Sequence, residues 1–566
     1  MIIRLWSDDA EPAEFVRCPR CLCLFRPVRV APPYEAPLGD VGAQSYLEGV
    51  AQIDQVVTPL FKVNTARVKT YLDVGCAAGF SLDFADFAWG WRGRGAEPST
   101  LALAGREALD LDIHHGYLDR DTFGERFHLV GSGDVIEHVA EPRAFVADLA
   151  SYVADDGALV LAGPNASAIA PDADENVIRA LLNPQHLALP SASTLDRMLR
   201  ENGFEFVRIW DRGAELHAVA AHDDELISEG GEFDRGLYRR YLGERYRTSR
   251  DVWGLKSGLG YRLYKESLFA RDFQTCDELF ESLREPVRAR YGIDICTPAA
   301  FDLDVKRWTM AELAQVMPFF ATELFYYRGS REIQRDRPGV SLAIEYFNAA
   351  IAAGVATRAL GEVHEYWNLE ADLLTNEAAH ARLQCIRQLP PREALNRLTA
   401  AESKLGDDSQ RLAYAEARAE LERIVFIESI AAGDYGRADD LAANIRRVVW
   451  SDGKRARTAQ TLGLQAQTLF ALGMFALNHE ADPAQAATYF DEAHRLSVDA
   501  LREDPSSEAA RQIVWWSLFS EGLCRRALGD ADRAVATART LERPTDLDFL
   551  PAPDEALVGR LSELYS

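Results

Sequence analysis

The stretch Asp73-Val74-Gly75-Cys76-Ala77-Ala78-Gly79 constrains the fold of this chain more than any other. An apolar run from Val68 to Leu72 precedes it, and a helix-like stretch begins at Phe80. Strand, glycine-rich turn and helix in that order make a nucleotide or nucleoside cofactor site at the end of a parallel strand. At its glycines the backbone can come close to a ligand where a Cβ would collide with it. The G-x-x-x-G spacing differs from the dinucleotide G-x-G-x-x-G, and a structural tight turn is the alternative reading. Gly75→Val is expected to block ligand binding by steric clash and leave the fold intact.

A second strand-like run, Gly90 to Ala96, ends in Glu97-Pro98-Ser99. An acidic residue there, roughly 20 residues after the first strand end, can accept both hydroxyls of a ribose; a solvated Glu at a strand end is the alternative. A helix-like stretch (Thr100 to Leu109) and the segment Asp112 to Leu118 follow. The apolar strand Phe127 to Val130 then runs into Gly131-Ser132-Gly133-Asp134-Val135-Ile136-Glu137-His138-Val139. A helix from Pro142 to Val153, the turn Asp155-Asp156-Gly157, and a strand from Ala158 to Ala162 ending at Gly163-Pro164-Asn165 complete the alternation. Strands and helices of these lengths imply an α/β fold with a doubly wound parallel sheet.

The motifs Asp73 to Gly79, Glu97 to Ser99, Asp134 to Val139, Asp156 to Leu161 and Pro164-Asn165, in this order, resemble a class I S-adenosylmethionine-dependent methyltransferase. The similarity is greatest to the branch of ubiquinone O-methyltransferases and sugar methyltransferases, which also carries a later Gln-His, here Gln185-His186. The resemblance covers 66–222, under half of the chain. It implies a Rossmann-like sheet and S-adenosyl-L-methionine as cofactor. It assigns Asp73 and the turn Gly75-Cys76 to Gly79 to the methionine portion, Glu97 to the ribose, and Leu118 with its neighbours to the adenine. Gly131, Ser132 and Gly133 would line the floor near the sulfonium. The family usually has bulkier residues there, so these glycines are expected to widen the cavity or loosen the strand end.

In such an enzyme the cofactor carries the reactive methyl group, and the protein brings the nucleophile into line with it. A sugar hydroxyl also benefits from a general base, for which histidine suits neutral pH. His138 and His186 fall where the family's acceptor pocket opens and are the catalytic candidates. A Glu137-His138 helix cap and a backbone-bonded structural His186 are the alternatives. In the ubiquinone branch the Glu-His pair is associated with a divalent metal. Hard cations want several oxygen ligands, which Glu137 alone does not supply, so no metal site is assigned. Cys18-Pro19-Arg20-Cys21, with Cys23 following, resembles one knuckle of the zinc ribbon that precedes some sugar methyltransferases. A closed site needs four ligands, and no Cys or His precedes Cys18; the knuckle reads as a degenerate remnant. The other cysteines are single, as in a reduced cytosolic protein.

The formal net charge of −26 disfavours nucleic acid as substrate, since such enzymes present a basic face to phosphates. The basic stretch Tyr238 to Arg247 reads as the exposed and aromatic faces of one helix. No apolar run approaches the roughly 20 residues that span a bilayer, and the N-terminus does not read as a secretory signal. A cytoplasmic protein is expected.

At 566 residues the chain needs more than one core. Residues 1–65 read as an N-terminal segment with the CxxC knuckle and lead-in helices, 66–222 as the methyltransferase domain, and 223–236 as a linker. Residues 237–566 read as a separate all-α helical repeat domain. Turns such as Gly433-Asp434 and Gly529-Asp530 punctuate its helices and resemble degenerate tetratricopeptide repeats; an unrelated helical bundle is the alternative. Trp515-Trp516 and Phe319-Phe320 read as packing residues. The expected activity is O-methylation of a sugar or glycan hydroxyl. The alternatives are a small-molecule O- or N-methyltransferase and an inactive methyltransferase fold serving as a scaffold. A protein partner or self-association through the helical repeats is expected; a nucleic-acid partner and a membrane span are not.

Overall fold

The structure is a computed structural model. It describes residues 2–7, 10–30, 34, 39–49, 53–119, 121–170, 173, 177–178, 181–182, 185–301, 303, 308–362, 368–402, 408–451, 458–542, 553 and 555–565. Two compact units divide the chain, Met1–Arg382 and Leu383–Ser566.

The first unit is built on a seven-stranded sheet. Its parallel strands are β4 (Thr70–Val74), β5 (Arg92–Glu97), β6 (Ile113–His115), β7 (Phe127–Gly133) and β8 (Val153–Pro164); β10 (Phe206–Asp211) and β11 (Glu215–Ala221) form an antiparallel hairpin. The order across the sheet is β10-β11-β8-β7-β4-β5-β6, with β11 antiparallel to β8. Strand residues alternate between two cores: Leu72, Val130, Leu159 and Leu161 on one face, Tyr71, Leu129, Ala158 and Val160 on the other. A sheet covered on both faces requires such near-continuous apolar runs, which is why β4, β7 and the apolar part of β8 were readable from sequence. One stretch differs from that reading. Asp155-Asp156-Gly157 lies inside β8 rather than in a turn; the pairing jumps from Phe127↔Val153 to Leu129↔Ala158, so a bulge absorbs the polar residues.

Helices α1 (Gly39–Gly49), α2 (Ile53–Val57), α3 (Phe80–Trp89), α4 (Leu101–Leu109) and α5 (Pro142–Ser151) complete the region. A smaller antiparallel sheet joins β1 (Ile2–Ser7), β2 (Ala10–Arg17), β3 (Leu24–Phe25) and β9 (Ala188–Leu189). The N-terminal segment thus holds strands as well as helices. Cys18 and Cys21 lie in the β2–β3 turn, closed by Leu22 N–H to Cys18 O and Cys18 N–H to Cys23 O, 3.0 and 2.9 Å. Among the described residues the three thiols do not converge on a common point with other ligating groups.

Further helices of this unit pack onto the sheet region. In Arg235–Thr248, Tyr238 and Tyr241 are buried and Arg240 and Arg247 exposed, as the sequence pattern implies. Tyr241 Oη and Arg245 Nε both donate to Asp83 Oδ2 of α3 at 2.8 Å. Helix Val340–Leu360 is long and apolar enough to cross a membrane, contrary to the sequence expectation, and 61% of it is buried inside the protein. It packs on Ala321–Ile333, so its apolar surface is core.

α1 carries a buried acid on the side facing these helices. Glu48 is 0% exposed, accepts from Phe319 N–H at 3.1 Å and from Tyr291 Oη, and burial pushes its carboxyl up to about 7. An unfolded Glu titrates near 4.3, so between these values the folded chain keeps a proton that the unfolded chain has lost. Stability conferred by that proton is full below about pH 4 and falls as pH rises to 7, by about 4 kcal/mol. Glu48→Gln keeps an acceptor without the charge. Relative to wild type it should gain stability between pH 5 and pH 8, a difference that denaturant titration at the two pH values measures. An equal gap at both would show that Glu48 does not titrate on folding.

In the second unit, helices Asp408–Ala431, Tyr435–Ser451, Ala459–Asn478, Pro483–Glu503, Glu508–Ala527 and Ala531–Glu542 pack on their sequence neighbours. The two Gly-Asp turns work alike. Gly433 and Gly529 take φ of +72 and +86°, ending one helix, and Asp434 and Asp530 accept from the N–H three residues on, capping the next.

Candidate active site

The loop after β4 reverses through three left-handed residues, Gly75 (φ +74°), Ala77 (+49°) and Gly79 (+81°). Ala77 pays the Cβ penalty of about 1–2 kcal/mol for this conformation, and its N–H donates to Glu97 Oε2 at 2.9 Å. Glu97 Oε1 accepts from Ser99 N–H at 2.8 Å. One buried carboxylate, 8% exposed, therefore ties the glycine loop to the end of β5. Ionised, it has about four lone-pair sites, leaving two for a ligand.

A cavity of 210 Å³ opens beside this loop, at the carboxyl end of the parallel strands. Asp73, Gly75, Cys76, Ser132 and Gly133 line it. Gly79, Glu97 and Leu118 are not on its wall. Gly79 instead caps α3 and closes the turn through its N–H to Cys76 O at 2.7 Å. Leu118 is half-buried against the main core. Asp73 is 7% exposed and accepts from Ser81 Oγ; burial pushes it up to about 6, with the Glu97 charge adding and the Ser81 and Tyr71 hydroxyls opposing.

The glycines of β7 have separate roles. A Cβ on Gly131 would lie 2.8 Å from Tyr71 Oη, so this glycine makes room for a buried tyrosine. A Cβ on Gly133 would meet nothing within 4 Å. The strand end is not loosened: Ser132 Oγ donates to Val74 O at 2.8 Å and pairing with β8 continues to Gly133↔Ala162.

At Gly75 an added Cβ would sit 2.3 Å from Val135 Cγ2. The collision is with the β7 turn as well as with any ligand, so Gly75→Val should lower thermal stability and cofactor affinity together. This revises the expectation of an intact fold. A folded Gly75→Val with unchanged affinity would remove the loop from the site.

Among the wall residues that sequence reasoning missed are Tyr46 of α1, Asp134 after β7, and Glu215 at the start of β11. Tyr46 stacks on Phe80 at 5.9 Å, bringing the lead-in helix over the loop. Asp134 is raised to about 6 by burial and by the Glu215 charge, against His217. No Lys or Arg side chain is among the described residues lining the cavity.

His138 and His186 are brought together, with ring centroids 4.9 Å apart and edge to face. They stand off the cavity wall, His138 on the turn that also carries Asp134. Pairing of β9 with β3 holds the returning chain, whose Leu187 and Ala188 N–H groups donate to Glu137 O at 2.6 and 3.2 Å. That clamp sets His186 beside His138. The carbonyls of Gln185 and Leu181 accept from Nδ1 of His138 and His186 at 3.2 and 2.8 Å. Carbonyls cannot donate, so each Nδ1 carries the proton and each Nε2 is left with its lone pair. Burial lowers both imidazoles, His138 to about 4 with His186 contributing.

Glu137 completes the group. It is 2% exposed, its Oε1 lies 3.9 Å from His138 Nε2, and its Oε2 is buried with no hydrogen-bond partner among the described residues. Burial and the Asp134 charge hold its carboxyl well above the usual range. Tyr34 packs edge-on to His138 at 5.8 Å. Ligating atoms of Glu137, His138 and His186 lie within 4.8 Å of one another. The sequence pointed to the Glu-His pair; the third member needed the fold.

Residues 44–209 match the family model of a methyltransferase domain, under a third of the chain. No curated protein matches the sequence. Among solved structures, the chain is similar to an O-methyltransferase family protein from Burkholderia thailandensis, at 18% identity over 32% of this chain and 59% of that one, TM-score 0.28. It is also similar to a SAM dependent methyltransferase from Archaeoglobus fulgidus, at 16% over 28% and 87%, TM-score 0.24. For an S-adenosylmethionine dependent methyltransferase from Mesorhizobium loti the figures are 16%, 30% and 99%, with TM-score 0.25. The chain spans less than two thirds of the Burkholderia protein. The family match and the observed α/β sheet agree: this chain contains a class I S-adenosylmethionine-dependent methyltransferase domain.

Proposed function

We propose that the protein transfers a methyl group from S-adenosyl-L-methionine to a hydroxyl of a sugar or glycan. The observation that carries this reading is a cavity on the glycine loop together with two neutral imidazoles that meet at 4.9 Å, His138 on the turn after β7 and His186 just ahead of β9. The residues fit the cofactor. Asp73 is a buried acid on the cavity wall, whose described lining includes no Lys or Arg, and is suited to the ammonium of the methionine portion. Glu97 keeps two acceptor sites for ribose hydroxyls, and the backbone of Gly75 to Ala77 is open to the ligand. When bound, the cofactor supplies an electrophilic methyl on sulfur.

The acceptor oxygen forms a bond to the methyl carbon as the carbon–sulfur bond breaks, and the hydroxyl proton must leave. His138 and His186 are placed on the acceptor side, where an Nε2 lone pair can orient the hydroxyl and take that proton. Glu137 stands beside them, its Oε1 3.9 Å from His138 Nε2. Incubation with methyl-labelled cofactor and a panel of sugars and glycans tests the reading. Label in a methyl ether supports it; bound cofactor without label in any hydroxyl acceptor defeats it.

One observation favours a second reading, an N-methyltransferase acting on a small amine. Asp134 and Glu215 add two carboxylates to the wall beyond Asp73, and no basic side chain balances them among the described lining residues. Amines belong in the same panel.

For the helical part we favour a degenerate tetratricopeptide-like array. Helix Ala459–Asn478 touches Asp408–Ala431 and Glu508–Ala527 as well as its immediate neighbours, as stacked helix pairs do. Such an array offers a surface for a protein partner or a second copy of the chain.

A further inference from the structure

We propose that the helical segment between Arg235 and Ile333 forms the outer wall of the cofactor site. Glu48, Asp54 and Asp83 are the positioning residues through which it holds Tyr46, Gln55 and Ser81 against the cavity.

Three helices that line the cavity each carry an acid next to a lining residue, and each acid is held from that segment. In α1, Tyr46 is on the wall, stacked on Phe80. Two positions on, Glu48 accepts from Phe319 N–H at 3.1 Å and from Tyr291 Oη. In α2, Gln55 and Val56 are on the wall, and Asp54 lies 3.7 Å from the buried guanidinium of Arg262. In α3, Phe80 and Ser81 are on the wall. Arg245 grips both oxygens of Asp83, at 2.8 and 2.7 Å, and Tyr241 Oη donates beside it.

The spacing gives these acids their leverage. Successive helix residues are turned by about 100°, so positions two apart face opposite ways. Tyr46 and Ser81 face the cavity while Glu48 and Asp83 face the outer helices. Glu48 and Asp83 are 0% and 4% exposed, and a buried carboxylate is costly without its donors. Rotating α1 or α3 far enough to withdraw the wall residue therefore strips the acid on the opposite face. Gly254 shows the outer segment shaped to this contact. It takes φ of +79°, and a Cβ there would lie 2.6 Å from Glu48 Oε1. Gln44, one turn before Glu48, donates to Tyr291 Oη at 3.0 Å and to Ala314 O at 3.4 Å, extending the same face of α1. Cofactor affinity thus depends on residues outside the sheet that are not on the cavity wall. The coupling is reciprocal: a ligand that seats Tyr46 also secures the outer segment.

The inference rests on the reading of the cavity as the S-adenosylmethionine site, so the test is S-adenosylhomocysteine binding to the full chain. Tyr291→Phe removes one donor from Glu48 and keeps the ring. It should weaken binding roughly 3-fold or more in the wild-type chain and leave it unchanged in a Tyr46→Ala background, because it acts through Tyr46. A loss that was only structural would be equal in both backgrounds. Arg245→Ala should weaken binding roughly 10-fold, the usual scale for an effect carried through packed neighbours. Arg245→Lys keeps the charge but not the fork and should recover part of the loss. Circular dichroism identifies folded variants, and Arg245→Lys alone carries the α3 arm if Arg245→Ala does not fold. Wild-type affinity in the folded Tyr291 or Arg245 variants, or equal Tyr291→Phe losses in both backgrounds, would overturn the inference. A wild-type chain that binds no S-adenosylhomocysteine overturns the cofactor reading and this inference with it; binding that the variants leave intact removes this inference alone.

Discussion

Glu97→Ala is expected to weaken S-adenosylmethionine binding by roughly 100-fold or more, the largest effect of any single change on the cofactor site. Hydrogen bonds to a charged group contribute about 1.5–3 kcal/mol each, and the ribose reading gives Glu97 two. The same carboxylate accepts from Ala77 and Ser99 N–H, so its removal also frees a loop that holds Ala77 in a left-handed conformation. Glu97→Gln keeps one oxygen acceptor and should fall between the two. Calorimetry on the three proteins, with circular dichroism to confirm folding, measures the series. Wild-type affinity in a folded Glu97→Ala would leave the carboxylate with its loop-tying role alone.

The second large effect falls on turnover. His138→Ala and His186→Ala should each reduce kcat by roughly 100- to 10,000-fold, the usual contribution of a positioned proton-transfer group. Affinity for S-adenosylhomocysteine should stay within a few-fold of wild type, because neither ring lines the cofactor cavity. Reduced cofactor binding with unchanged kcat would place the pair at the wrong end of the reaction. Full activity in both variants on the true acceptor would remove them from the chemistry.

What the sequence revealed follows how local each feature is. The loop from Asp73 to Gly79 is one continuous strand-turn-helix segment, and Glu97 sits at the next strand end, so spacing alone made both candidates. Strands β4, β7 and β8 were visible because both faces are buried and each carries a nearly continuous apolar run, whereas β6, Ile113-His114-His115, carries no such run. Tyr46, Asp134 and Glu215 were not legible as wall residues. Tyr46 arrives from a helix ahead of β4, and Glu215 from a strand inserted antiparallel beside β8. Nothing in their neighbours along the chain marks those positions.

The same distinction holds for the histidines. Their residue types and their place after β7 and β8 were readable. Their 4.9 Å approach depends on β9 pairing with β3, two residues on each side, a contact between segments over 160 positions apart. Gly131 shows the converse. An unusual glycine suggested a wider cavity, and the space is filled by Tyr71. The acidic bulge at Asp155 to Gly157 looked like a turn because polar residues and glycine carry the same local signal in either setting.

Calorimetric titration of the full chain with S-adenosylhomocysteine and S-adenosylmethionine tests the central claim most directly. The account predicts one site with micromolar affinity, about −8 kcal/mol. No heat with either ligand from folded protein would contradict it, leaving a methyltransferase fold kept for another purpose.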